Sequence, residues 1–238
     1  MTLKSSKPTK IARASLVAVT LAVLVTACAS QGPTDNPIKR KFSWFSYLEG
    51  GDIRAVCGPG ASSRYRMVYN GVFGEQVRTY DLSAAGRLDV SVIEAADVSA
   101  FSVSKLSGLL NPWRGKAASR QLSQVEVSRI IQALDRDGAF AAPAVGTELS
   151  SKGFFWTMAA CHEGRYHFTA VAWPSPAWDA ATFDDVVFEL DPSPIAVNPP
   201  RKTVLTRINK TDKRRKSENE FHTKVGENGL FGVVDLGK

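Results

Sequence analysis

Apolar and polar residues alternate over several short stretches of this chain, the period-two signature of strands with one buried face. Ile53, Ala55 and Cys57 begin the pattern, which Gly58-Pro59-Gly60 interrupts with a turn. Tyr65, Met67 and Tyr69 then share one face, and Asn70-Gly71 supplies the dipeptide preferred in a two-residue type I′ turn, so Val72 to Leu82 is predicted to return antiparallel. Leu88, Val90 and Val92 alternate with Asp89 and Ser91 in a further strand. Phe154 to Cys161 and Tyr166 to Trp173 are apolar runs separated by His162-Glu163-Gly164-Arg165, a spacing that suits a second hairpin.

The period changes to that of a helix at Gln124 to Arg136. Val127, Ile130, Ile131 and Leu134 form one stripe, Ser123 with Glu126 makes a capping box, Leu122 can staple to Val127, and Gly138 is placed to end the helix. A second helix is open to Phe183, Val186, Val187 and Leu190, with Asp179 before it. Phe188 falls off that stripe and permits a strand instead. The fold class expected is α+β, an antiparallel sheet built from hairpins with one or two helices packed on one face.

Ahead of these elements, Lys4, Lys7, Lys10 and Arg13 precede an apolar run from Ala14 to Val25, too short to cross a bilayer as a permanent helix. The run ends in Val25-Thr26-Ala27-Cys28, which resembles the lipobox of bacterial lipoproteins. The resemblance implies that residues 1–27 are a signal peptide, that Cys28 becomes an acylated N-terminus carrying diacylglyceryl and palmitate-type chains, and that the protein is held in the cell envelope. Because Ala29 is not an aspartate, it also implies an outer membrane, facing the periplasm, in a two-membraned organism. Residues 28–45 are then a tether and juxtamembrane segment. Its Lys39-Arg40-Lys41 with Phe42 and Trp44 suits either an anionic membrane surface or an edge strand or docking segment that packs Phe42 and Trp44 on the domain.

Charge changes meaning once the signal peptide is set aside. Residues 28–238 carry 26 Lys+Arg against 23 Asp+Glu, and residues 28–198 alone carry 16 against 18. A nearly neutral body argues against a nucleic-acid-binding face. Residues 46–198 are read as a single α+β domain. Residues 199–238, with 10 basic and 5 acidic groups, are read as a largely disordered tail whose Lys210, Lys213, Arg214, Arg215 and Lys216 dock on anionic lipid or polysaccharide. With Cys28 committed to lipid, Cys57 and Cys161 form an even pair in an oxidising compartment and are expected to make a disulfide.

The search for chemistry returns little. There is no G-x-S-x-G elbow, H-E-x-x-H or P-loop, and Ser102-Val103-Ser104-Lys105 lacks the companion motifs of penicillin-recognising enzymes. His162 and His167 share a hairpin, but with Glu163, Asp184 or Asp185 they do not complete a recognisable ligand set, so neither metal nor cofactor is expected. Asn111-Pro112-Trp113-Arg114-Gly115-Lys116 lies in a stretch without periodicity, and Trp113, Arg114 and Lys116 suit stacking on a ligand while holding an anionic group. The expected function is a non-catalytic binding or structural module for an envelope protein or anionic envelope polymer. The alternative is a lipid-tethered hydrolase whose site is not visible as a motif.

Overall fold

A computed structural model describes residues 44–94, 115–202, 221–227 and 229–231. Its centre is a six-stranded, wholly antiparallel sheet in the order β4-β3-β2-β1-β6-β7. The strands are β1 (Arg64–Gly71), β2 (Gln76–Ser83), β3 (Arg87–Glu94), β4 (Lys116–Gln121), β6 (Phe154–His162) and β7 (Arg165–Trp173). β5 (Glu148–Ser150), β8 (His222–Gly226) and β9 (Gly229–Phe231) make a second, three-stranded sheet in the order β5-β8-β9. The fold is α+β, as the alternation and the helix stripe predict.

Two short helices open the described chain, α1 (Trp44–Leu48) and α2 (Gly51–Val56). Here the structure corrects one expectation and decides between two others. The alternation from Ile53 to Cys57 is a helical turn and not a strand: only Ile53 is buried, while Ala55 and Val56 face solvent. Trp44 and Phe45, the described end of the segment 28–45, reach into the core and are 2% and 1% exposed. They pack as a helix rather than as an edge strand, and Phe42 lies outside the described residues.

The longest helix, α3 (Gln124–Arg136), has the predicted bounds. The Ser123 hydroxyl accepts from the Glu126 amide at 3.3 Å, and the Glu126 carboxylate accepts from the Ser123 amide at 2.8 Å. Gly138 adopts φ 80°, and the Ala139 amide closes the end on Leu134. The ambiguous segment is helical: α4 (Pro176–Ala180) is capped by Ser175, and α5 (Phe183–Glu189) follows. Asp137, from the end of α3, accepts the Thr182 and Phe183 amides at 2.6 and 2.7 Å, doing for α5 what Asp179 was expected to do.

α3 and α5 cover one face of the large sheet, burying Val127, Ile130, Leu134, Phe183 and Val187 against Tyr80, Leu88, Trp156 and Met158. Burying each such side chain stabilises by about 1.5 to 3 kcal/mol. The other face is covered by α1, α2 and the second sheet, through Trp44, Phe45, Leu149, Phe221, Val225 and Leu230 packed on Val68, Phe155 and Phe168. Helices on one face are as expected; the second layer is not.

Past α5 the chain forms a strap along the edge of the helical layer. Fully buried Arg78 is paired with Asp191, whose carboxylate also accepts from Tyr80 at 2.7 Å. Gln76 donates to the Ala196 carbonyl at 2.9 Å and accepts from the Asn198 amide at 3.0 Å. The domain therefore does not stop at Pro199. Arg201 pairs with Glu75, and residues 221–231 return to form β8 and β9, so the boundaries 46–198 are too narrow on both sides. Lys210, Lys213, Arg214, Arg215 and Lys216 lie outside the described residues.

The β1–β2 connection also differs from expectation. Asn70 and Gly71 stay in β1, and the turn comes later, with Val72 at φ 64° and the Gln76 amide bonded to the Val72 carbonyl at 3.0 Å. Buried Asn70 is occupied elsewhere, donating to the Gly153 carbonyl at 2.7 Å, and Phe73 is drawn inward beside Trp44 and Phe221. In β6–β7 the spacing holds: Glu163 and Gly164 take φ 50° and 72°, the two positive values a type I′ turn requires.

Candidate functional site

The β6–β7 turn lies at the end of the sheet marked by Arg64, some seven residues along β1 from Gly71, or about 23 Å at the rise of a strand. Cys57, at the end of α2, is joined to Cys161 there by a disulfide with Cα atoms 5.5 Å apart. Gly58 and Gly164 meet beside it so closely that a Cβ on Gly164 would stand 2.7 Å from the Gly58 carbonyl oxygen. The turn is thus fixed from below while its side chains remain outside the core.

Above it is an open cleft of about 310 Å³. The helix α3 forms one wall with Ile131, Gln132 and Asp135, and the hairpin forms the other with His162, Glu163, Arg165 and His167. Phe140, just past the helix, closes the floor. Its ring stacks on His162 at 4.2 Å and 9°, and meets the His167 ring edge-on at 5.6 Å. The register of the hairpin pairs His162 with Arg165 and Ala160 with His167, which puts both imidazoles on one face, 6.5 Å apart.

The Tyr65 hydroxyl and His162 Nδ1 are hydrogen-bonded at 2.8 Å. Burial pushes the Tyr65 phenol up, with the charge of Glu163 adding to the rise. The pKa of His167 is lowered by burial first, then by the charges of Arg165 and His162. Arg165 has no ion-pair partner among the described residues, whereas other arginines of the body, such as Arg66, Arg78 and Arg129, are matched to carboxylates. The cleft therefore offers a guanidinium, two imidazoles, an amide and two carboxylates around an aromatic floor, none of its charged side chains joined in an ion pair among the described residues. Among the described residues no group of three or more His, Cys, Asp or Glu converges to hold a metal ion. Asp184 and Asp185 sit in the first turn of α5 and do not line the cleft.

A second concavity, about 430 Å³, lies on the opposite face over β2 to β4. Small side chains, Ser91, Ala117 and Ser119, form its floor, and Tyr47, Asp81 and Asp89 its rim. Its most ordered part is a charge network that sequence reading missed. Arg66, 3% exposed, donates to Asp52 at 2.7 Å and to Asp81 at 3.0 Å, and its guanidinium lies 3.9 Å from the centre of the Tyr47 ring. Burial pushes the Tyr47 phenol up to about 12. The signal for this cluster was the alternation itself, which puts Arg64 and Arg66 on one face of β1 beside Asp81 of β2. These groups satisfy one another and leave no charge directed at a ligand.

Of the other residues singled out from sequence, Lys116 begins β4 and pairs with Glu94 at 2.8 Å across a fully solvated edge. The segment from residue 116 to 121 that lacked clear periodicity is a strand with nearly every side chain exposed. Trp113, Arg114, Ser102 to Lys105 and Cys28 lie outside the described residues. Phe140 and Gln132 were not picked out, because Phe140 follows the helix in a run of alanines and Gln132 looks like an ordinary solvated helix position.

No family model matches this chain, and no curated protein or solved structure does either.

Proposed function

We propose that the protein is a lipid-anchored, non-catalytic binding module of the cell envelope, acylated at Cys28 and oriented on an anionic surface by the basic residues that flank its anchored end. The observation that carries the reading is a convergence at one end of the sheet. Trp44, where the described chain begins, packs on Phe73 at 5.7 Å, and Phe221, where it resumes after residue 220, packs on Phe73 at 5.4 Å. Arg201, close to where it breaks off, is held by Glu75 in the same turn. Arg201 and Phe221 thus lie beside the same turn as Trp44, and they flank the segment 203–220. It carries six bases, Arg207, Lys210, Lys213, Arg214, Arg215 and Lys216, against three acids, and Lys39-Arg40-Lys41 precedes Trp44 by two residues.

Near a negatively charged surface each base contributes about 1 kcal/mol, screened over roughly 8 to 10 Å at physiological salt. Concentrating them at one end supplies a torque as well as an affinity. No helix among the described residues is long and apolar enough to cross a membrane, and the lipobox supplies the anchor in this reading. Among the described residues neither the cleft nor the second concavity combines a nucleophile, a base and an orienting group, which favours binding over catalysis in this reading.

Two measurements test this. Intact-mass analysis of membrane-extracted protein is expected to show an acylated N-terminus at Cys28; a chain beginning at Met1, or a free Cys28 thiol, contradicts it. Partition of the extracted protein between phosphatidylglycerol-rich and neutral vesicles is expected to favour the former, with the preference and its salt dependence reduced when Lys213, Arg214, Arg215 and Lys216 are replaced by glutamine. An unchanged preference removes the orienting role of the segment.

A further inference from the structure

The cleft between α3 and the β6–β7 turn has a composition that selects among small ligands. Its one arginine is Arg165, which lines the same space as His162 and His167 and has no ion-pair partner among the described residues. Across from them the helix presents Gln132 and Asp135, groups that reward a ligand with hydroxyls to donate and oxygens to accept. The floor is flat and aromatic, Phe140 stacked on His162 at 4.2 Å. At about 310 Å³ the cleft is at the small end of ligand pockets, enough for one substituted ring with its neighbours extending into solvent.

We propose that this cleft binds an acidic sugar unit, with the carboxylate seated among Arg165, His162 and His167, the ring over Phe140, and the hydroxyls on Gln132 and Asp135. A bare anion fits less well, because Asp135 and Glu163 oppose negative charge unless hydroxyls stand between. A neutral sugar leaves Arg165 without a partner. The site goes beyond the anchored reading and is independent of it: loss of acylation leaves the cleft intact, and an empty cleft leaves the anchor intact.

Binding is also linked to protons. In the free protein burial first, and then the charges of Arg165 and His162, hold the pKa of His167 down, while Asp135, Glu163 and the Tyr65 hydroxyl complete the polar surroundings. A carboxylate placed among these groups favours the charged form of His167, so the complex takes up a proton and tightens as pH falls through the range in which that imidazole titrates.

The test is calorimetric titration of the full chain, extracted in detergent, with trigalacturonate, the corresponding neutral galactose trimer and inorganic phosphate, at pH 7.5 and 6.0. Saturable binding is expected for the trigalacturonate only, stronger at pH 6.0, with uptake of protons read from the buffer dependence of the heat. Arg165→Gln, at an exposed turn position, is expected to weaken it by about tenfold or more, the loss of one charge-assisted hydrogen bond. Gln132→Ala is expected to weaken it by a few-fold, with the unfolding temperature of both variants unchanged. Absence of saturable trigalacturonate binding overturns the proposal, as does wild-type affinity in Arg165→Gln. Equal binding of phosphate shows an anion site without sugar selectivity and overturns it as well.

Discussion

At the Gly71 end of the large sheet the second layer is held by rings: Trp44 on Phe73, and Phe221 between Phe45 at 5.2 Å and Phe73 at 5.4 Å. At the Arg64 end the same layer is held by the Cys57 to Cys161 disulfide and by the ion pairs of Asp52 with Arg64 and Arg66, while the side chains of His162, Glu163 and Arg165 line the cleft. Aromatic packing needs buried area and so leaves little surface for a ligand. A disulfide needs almost none, and it fixes a turn whose polar groups are then free to line a cleft. The difference assigns stability to one end and recognition to the other.

Phe221→Ala should break the comparison most severely. The ring is completely buried against Phe45, Phe73 and Phe155, and its truncation is expected to cost about 3 to 5 kcal/mol in denaturant unfolding. Hydrogen exchange should rise in β8 and in the β1–β2 turn while the β6–β7 turn keeps its protection. Uniform loosening of both ends contradicts the division.

Next in size is Cys57→Ala with Cys161→Ala. The bridge closes 104 residues, and its loss is expected to cost about 2 to 4 kcal/mol, mainly through the unfolded chain. In the native state the β6–β7 turn should lose exchange protection first, with Trp44 fluorescence surroundings unchanged. Equal unfolding midpoints for the oxidised and reduced wild-type protein rule out this contribution.

The smallest effect is that of pH on the Arg64 end. His167 has a lowered pKa in the fold, so the unfolded chain takes up a proton first; the stability due to neutral His167 is complete above about pH 6.5 and is lost as pH falls through the lower folded value. At Asp52 burial acts upward, but hydrogen bonds and charge from Arg66, with Arg64, outweigh it and hold the carboxyl below its ordinary range. Its contribution is present above about pH 4 and disappears as pH falls through the folded value. Melting temperature should therefore decline in two steps on acidification, the first absent in His167→Asn. A single step common to both proteins contradicts the assignment.

The sequence was most legible where pattern and local chemistry agree. The stripe Val127, Ile130, Leu134 with its capping box gives α3 to the residue, and the run on either side of Glu163-Gly164 gives the second hairpin. Asn70-Gly71 misled because Asn70 serves a tertiary hydrogen bond, a demand no local pattern reveals. The second sheet was illegible for a different reason: β5 and β9 have three residues each, too few for a period, and β8 and β9 lie beyond a strongly charged stretch. Of the cleft, His162 and His167 could be placed on one hairpin, and the disulfide followed from cysteine count and compartment. Phe140 and Gln132 could not be placed there, since the docking of α3 over that turn is a property of the whole fold.

The proposed orientation, in which the Trp44–Phe73–Phe221 end faces the membrane and the histidine cleft, at the other end of the sheet, points away, is open to direct measurement. Fluorophores attached through Gly74→Cys, where a side chain meets open space, and through Glu163→Cys report on the two ends in full-length protein reconstituted into anionic vesicles. With a nitroxide quencher at the lipid headgroup, strong quenching is predicted at position 74 and little at position 163. Equal quenching at both positions, or stronger quenching at 163, contradicts the orientation.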